Sequence, residues 1–256
     1  MKREILLPSG VLGVFGKDAR IKIELDMMAK HFDLLSTVSE DTDTESVVLD
    51  ILSDLVDGVD VWNLTKIDME YLFTLVKAVS MGDGLTISSV CRSLVQVSKG
   101  APLRMCGERL TYKVKVMDSD VKVCDLDERP RVTLEIDGEE RQFEYRLPTM
   151  REEIDLINDF VSRGYSRRDI VSEEHRDIML EYAKCRMLLH LDPAGYTRER
   201  LLESLRAGSF RLMVDLTRQI DSMGKYGLIH KTYHQKCPSC GGDAEARLPL
   251  LGGISL

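Results

Sequence analysis

Near its end this chain carries Cys237-Pro238-Ser239-Cys240-Gly241-Gly242, and no other stretch has residue types and spacing so suited to one chemistry. A C-x2-C turn lets two sulfurs reach one metal ion, and the following glycine lets backbone amides point at sulfur without a side chain in the way. Zinc takes four thiolate or imidazole ligands in a tetrahedron, so the motif is half a site. A thioredoxin-type redox pair would open a helix after a strand. Here GLIHKTYHQKC and DAEARLPL read as short strands on either side. The pattern predicts a zinc-ribbon hairpin.

The second half of the site must come from elsewhere. His230 and His234 are close in sequence, but four residues of strand span roughly 13 Å at about 3.3 Å each. Both imidazoles reach one metal only if the segment bends. Cys106-Gly107 repeats the Cys240-Gly241 ending, and Cys91 lies with Cys106 at the border of a β-rich region. A set of Cys91, Cys106, Cys237 and Cys240 would clip the chain's centre to its end through a structural zinc ion. Cys91 and Cys106 do not form a C-x2-C, so Cys124 and His234 stand in reserve. Cys185 reads as core, His190 does not read as a ligand, and His31 reads as a packed or partly exposed helix residue.

Catalytic patterns are missing. The sequence has no GxxxxGK[ST] loop, no GxGxxG after a strand, no HExxH and no GxSxG. The acidic stretches 39–45 and 125–130 pair carboxylates without a pattern that would position a metal or a water, and read as solvated loops. The expectation is a protein that is not an enzyme.

Composition bounds the rest. Of 256 residues, 43% are hydrophobic and 30% charged, as in ordinary globular proteins. No stretch approaches the ~18 apolar residues of a membrane span. The start has no signal-peptide pattern, so a reducing cytoplasm is expected, where cysteines serve as thiols or metal ligands. The net charge of −8 argues against a primary nucleic-acid binder. Segment 225–249 has a small basic surplus, which keeps a zinc-ribbon nucleic-acid or transcription adaptor as the alternative.

The elements that must carry these cysteines follow from periodicity. Strands are predicted at KREILLP, VLGVF and RIKIEL, where Ile21, Ile23 and Leu25 alternate with Lys22 and Glu24. Helices follow over 26–38 with Asp26 as N-cap, 45–58 and 68–80, with Trp62 as a packing plug between the last two. LTISSV, two strands about a turn at 118–120, and a hairpin with Asp137-Gly138 at its apex make a β middle. Helices over 150–164, 172–192, 197–208 and 210–224 precede the ribbon. The fold class is α+β: an N-terminal β unit with a helix pair (1–90), a central β region (91–149), a helical region (150–226) and a C-terminal C-x2-C ribbon (227–256), with 91–256 able to act as one unit.

This order resembles the T-even-type bacteriophage baseplate hub assembly proteins. The resemblance rests on LPSG (7–10), MMAKHFDLLS (27–36), DMEYLFTLVKAVSMG (68–82) leading to Cys91, RLPT (146–149) and the closing C-x2-C-G. It implies a non-enzymatic hub subunit or assembly factor of a contractile tail, with other hub or tail proteins as partners. Such a protein would work in the host cytoplasm during assembly and sit in the virion baseplate. The family pattern also implies a C-x2-C knuckle at the first cysteine. Here fourteen residues separate Cys91 from Cys106, so a lost or rearranged first metal half is expected. Strands 131–136 and 141–146 offer edges, and helices within 151–223 offer grooves, for partners.

Overall fold

The computed structural model describes residues 2–247 apart from 37–43, 81–84, 97–101, 115–120, 137, 194, 208–209, 224 and 229–231. The acidic stretch 39–45 and the turn at 118–120 therefore lie wholly or largely outside the described residues. Helices and several small antiparallel sheets alternate, so the chain is α+β. Among the described residues no helix is long and apolar enough to cross a membrane.

Strands β1 (Lys2–Leu6) and β2 (Arg20–Glu24) pair antiparallel, and β3 (Val56–Asp57) adds to β2. Alternation puts Ile21 and Ile23 inward, where they meet helices α1 (Ala29–Ser36), α2 (Thr44–Leu55) and α3 (Lys66–Ser80) in the largest apolar core. Helix α1 starts two residues later than an Asp26 cap would require. The Met28 amide instead donates to His31 Nδ1 at 3.1 Å, and Nε2 of this fully buried histidine donates to Asp54 at 3.3 Å. Trp62 packs partly buried against this core, with the Arg151 guanidinium 5.8 Å from its ring centroid.

VLGVF is not a strand. Gly10–Leu12 form a 3-10 turn, and Gly10 has φ +52°, a conformation that favours glycine. A tertiary network fixes the loop. The Ser9 amide donates to Asp68 at 2.9 Å, the Cys124 amide to the Pro8 carbonyl at 2.8 Å and the Leu147 amide to the Leu12 carbonyl at 2.9 Å. Arg129 donates to the carbonyls of Val11 and Gly13 at 2.9 and 3.1 Å. Asp68 is fully buried; burial raises its pKa against the opposing bonds from Thr65 and Ser9.

RLPT also has a structural role. Thr149 and Glu152 form a reciprocal capping box at the start of α4 (Met150–Ser162), and Arg146 grips Glu152 at 2.7 and 2.5 Å. Burial opposes ionisation of Glu152, but the Arg146 bonds prevail and hold its pKa down. A short helix, α5 (Arg167–Val171), was not visible in the apolar period; it is set by a Ser166/Asp169 capping box. Helices α6 (Arg176–Leu189), α7 (Arg198–Ala207) and α8 (Phe210–Met223) complete the helical region.

The expected hairpin is β9 (Arg131–Ile136) and β10 (Glu139–Glu144), with Ile136 opposite Glu139. Its Leu134, Ile136 and Phe143 join α6, α7 and α8 in a second core. Among the described residues the two strands of 110–126 do not pair with each other. The first, β7 (Arg109–Val114), pairs with β4 (Leu85–Val90); the second, β8 (Val121–Lys122), pairs with β11 (Gly227–Leu228).

Candidate metal centre

Two antiparallel ribbons share a small separate core. In one, β4 and β7 run in register from Leu85 opposite Val114 to Val90 opposite Arg109. In the other, β12 (Thr232–Lys236) and β13 (Asp243–Arg247) run from Thr232 opposite Arg247 to Lys236 opposite Asp243. The inward residues of the first, Ile87, Leu110 and Tyr112, lie in one cluster with Ala244 and Ala246 of the second. Each ladder ends on a cysteine, Cys91 in one and Cys237 in the other.

The two turns beyond these cysteines share one bonding pattern. At the C-terminal turn the Cys237 amide donates to the Gly242 carbonyl and the Gly241 amide to the Cys237 carbonyl, both at 2.8 Å. At the other turn the Cys91 amide donates to the Glu108 carbonyl at 2.8 Å and the Gly107 amide to the Cys91 carbonyl at 3.1 Å. Cys91, Cys106, Gly107 and Glu108 thus take the places of Cys237, Cys240, Gly241 and Gly242. Gly107 and Gly241 have matching φ of +74° and +70°. The first turn is a C-x2-C-G knuckle opened by twelve extra residues, fourteen between its cysteines against two. The extra residues form a side hairpin of β5 (Leu94–Val95) and β6 (Arg104–Met105), closed by the Cys106 amide donating to the Ser93 carbonyl at 2.9 Å. The first knuckle is rearranged in sequence while its bonding pattern is kept.

The structure brings Cys91, Cys106, Cys237 and Cys240 together, their sulfurs all within 4.8 Å of one another. Cys91 and Cys240 sulfurs are 3.7 Å apart, and Cys106 and Cys237 sulfurs 3.8 Å apart. Bonded sulfurs would stand about 2.05 Å apart, so these are free thiols. A tetrahedron of sulfurs each about 2.3 Å from a zinc ion has edges of roughly 3.8 Å. The donor set and its spacing fit a tetrahedral metal ion, which this cluster could hold.

Its electrostatics point the same way. The hydroxyl and amide of Ser93 donate to the Cys91 sulfur and pull its pKa down to about 7. The Glu108 amide favours thiolate at Cys106, but burial and the three neighbouring sulfurs outweigh it and push Cys106 up to about 12. At Cys240 the Gly242 amide opposes burial and the Cys237 and Cys91 sulfurs, which prevail and raise it. Four sulfurs this close cannot all ionise without a cation among them. Gly242 has a steric reason too: a Cβ there would lie 2.3 Å from Ser93 Oγ and 3.3 Å from Cys240 sulfur. The Ser239 hydroxyl ties one knuckle to the other through Glu108 at 2.7 Å.

The reserve ligands lie elsewhere. His234 is exposed on β12 opposite Glu245, and Cys124 is buried in the second core beside Gly10. Cys185 is buried in a further core with Phe160 and Leu189, as its apolar setting on the helix implied.

A second feature has no sequence signature. A cleft of about 700 Å³ opens between α3, α6 and α8, and its lining includes Lys66, Glu70, Glu153, Arg186 and His190. Lys66 bonds Glu45 at 2.7 Å, and Arg186 meets Glu153 at 3.4 Å. Burial pushes Glu70 up to about 7, with Lys66 opposing. Burial and Arg186 push His190 down to about 4, and its Nδ1 is buried without a hydrogen-bond partner. The described residues lining the cleft include no serine or cysteine nucleophile.

Fold and centre together define an α+β protein in which two sequence-distant ribbons converge on a four-cysteine, zinc-ribbon-like cluster. The family model described as T4 bacteriophage base plate protein matches residues 7–250, nearly the whole chain, and the chain belongs to that family. Neither the curated proteins nor the solved structures compared with it gave a match.

Proposed function

We propose that this baseplate protein is a hub component or hub assembly factor of a contractile tail, working without catalysis through contacts with other hub or tail proteins. The family match across residues 7–250 carries the reading. The motifs behind the resemblance support it by their structural roles: LPSG is the loop that Asp68, Cys124, Arg129 and Leu147 hold, and RLPT caps α4. The protein acts in the infected cell's cytoplasm while the tail is built and goes with the baseplate.

The same reading assigns one structural zinc ion to Cys91, Cys106, Cys237 and Cys240. Their thiolates would hold it, Ser93 and the knuckle amides would offset their charge, and the metal would pin the C-terminal ribbon to the ribbon ending at Cys91. The division at 1–90, 91–149, 150–226 and 227–256 then becomes one working unit over 91–256, because the metal joins its two ends. The decisive experiment removes the gene during infection and follows baseplate hubs by sedimentation and electron microscopy. Hubs should fail to form; normal hubs without the protein would refute the reading.

A further inference from the structure

The three most exposed large apolar side chains among the described residues are Met105, Leu94 and Leu103, at 64%, 63% and 63%. All three sit on the side hairpin between Cys91 and Cys106. Leu94 faces Met105 directly across the strand pair, and Val90, 52% exposed, lies at its base opposite Arg109. Directly opposed residues have Cβ atoms about 5 Å apart, so Leu94 and Met105 form one continuous apolar surface. Arg92, Arg104 and Arg109 are exposed on the same segment, Arg104 next to Met105 and opposite Val95, and none has an ion-pair partner among the described residues. The nearby acid, Glu108, is engaged by the Ser239 hydroxyl.

Solvated leucine and methionine on a small hairpin have no folding rationale, because they leave apolar area in water at about 25 cal/mol per Å². The hairpin is also anchored at its root. Cys91 and Cys106 belong to the sulfur cluster, and the amides of Cys91, Cys106 and Gly107 are all bonded within the knuckle. Apolar side chains carried on a strand pair anchored at its root lose little freedom on binding. Aliphatic side chains on a hairpin that also carries unpaired guanidiniums match a segment that is both apolar and acidic. A nucleic-acid strand would present phosphates to the leucines, and this hairpin offers no aromatic side chain for base stacking. A two-fold contact between copies would face these arginines with one another.

We propose that the side hairpin is a docking surface for an acidic segment of a different protein. Apolar side chains of that segment sit on Leu94, Leu103 and Met105, and its carboxylates pair with Arg92, Arg104 and Arg109. That the partner is another tail component rests on the baseplate reading above.

The test places a photo-crosslinking amino acid at Leu94 of the full chain during infection, with Val14, an exposed position far from the hairpin in sequence, as control. Crosslinked peptides are then sequenced. The expected product joins position 94, and not position 14, to a segment of net negative charge containing apolar residues. Arg104→Glu should cut its yield at least tenfold, and reversing one acidic residue of the captured segment should restore it. A melting curve matching that of the parent shows that Arg104→Glu still folds. Crosslinks from position 94 to nucleic acid, to a second copy or to a basic segment would overturn the proposal. So would no crosslink, or a yield indifferent to Arg104→Glu. An acidic partner from outside the tail would sustain the surface and refute the baseplate reading; a tail partner captured only from position 14 would do the reverse.

Discussion

The two cysteine knuckles share a hydrogen-bond pattern and differ in how they are written. Two residues lie between Cys237 and Cys240, whereas fourteen lie between Cys91 and Cys106. Yet the amide of the first cysteine, the amide of the following glycine and the positive φ of that glycine correspond in both. The requirement that survives insertion is therefore local to the four residues that turn the backbone toward sulfur. The extra residues are free for another task provided they leave and re-enter at Ser93 and Cys106. The compact knuckle contributes two sulfurs to the cluster and nothing more, whereas the open one contributes two sulfurs and carries a side hairpin as well.

The largest effect should come from breaking either knuckle. Cys106→Ser and Cys237→Ser should destabilise the chain to a similar extent, each by more than about 5 kcal/mol in chemical denaturation, since structural zinc contributes ~10–16 kcal/mol in small zinc peptides. Unequal losses would show that the knuckles are not equivalent. Next comes Gly10→Ala, away from both, with an expected cost of about 2–4 kcal/mol. There φ is +52° and a Cβ would sit 2.9 Å from that of Cys124. At Gly107 and Gly241 nothing lies within 4 Å of an added Cβ, so alanine at either should cost only the left-handed backbone, about 1–2 kcal/mol, by the same amount in both knuckles.

The sharpest comparison is excision. Deleting residues 94–105 leaves Cys91-Arg92-Ser93-Cys106-Gly107, a two-residue knuckle like its partner. Stability should shift by less than about 2 kcal/mol, because loop-closure cost varies slowly with length, and competition with a chelator should give metal affinity within a few-fold of the parent. Unfolding on excision would mean that the insertion is structural.

The cleft supplies a contrast in sign. Glu70 titrates near 7 in the fold against an ordinary value of 4.5. The folded state thus holds a proton that the unfolded state has lost, and stability falls as pH rises from 4.5 to 7. Lys66, Glu45 and Glu153 are the charges acting on it. Glu70→Gln should stabilise by about 2 kcal/mol at pH 8 and by much less at pH 5. His190, pushed down to about 4 from 6.5, acts oppositely: stability is lost as pH falls from 6.5 to 4. Melting curves of Glu70→Gln against pH separate the two.

How much of this was legible followed from contact range. The strand–turn–strand about CPSCGG, the β9–β10 hairpin and the α3 stripe are local patterns, and they read correctly. Cys91 and Cys106 could be nominated only by the Cys-Gly echo, because pairing of β4 with β7 across the insertion leaves no periodic trace. The same long-range pairing hid the fact that β7 and β8 have different partners. VLGVF looks like a strand because it is an apolar run, but Arg129 and Asp68 decide its shape from far along the chain. The cleft is formed by helix faces whose juxtaposition no single segment encodes.

The most direct test of the central claim is the zinc content of the full chain purified without added metal, measured by mass spectrometry for the parent and for Cys91→Ser, Cys106→Ser and Cys124→Ser. The account predicts one zinc per parent chain, loss of tight binding in the first two variants and one zinc retained in the third. A folded parent chain without metal, or full zinc occupancy after loss of Cys91 or Cys106, would contradict it.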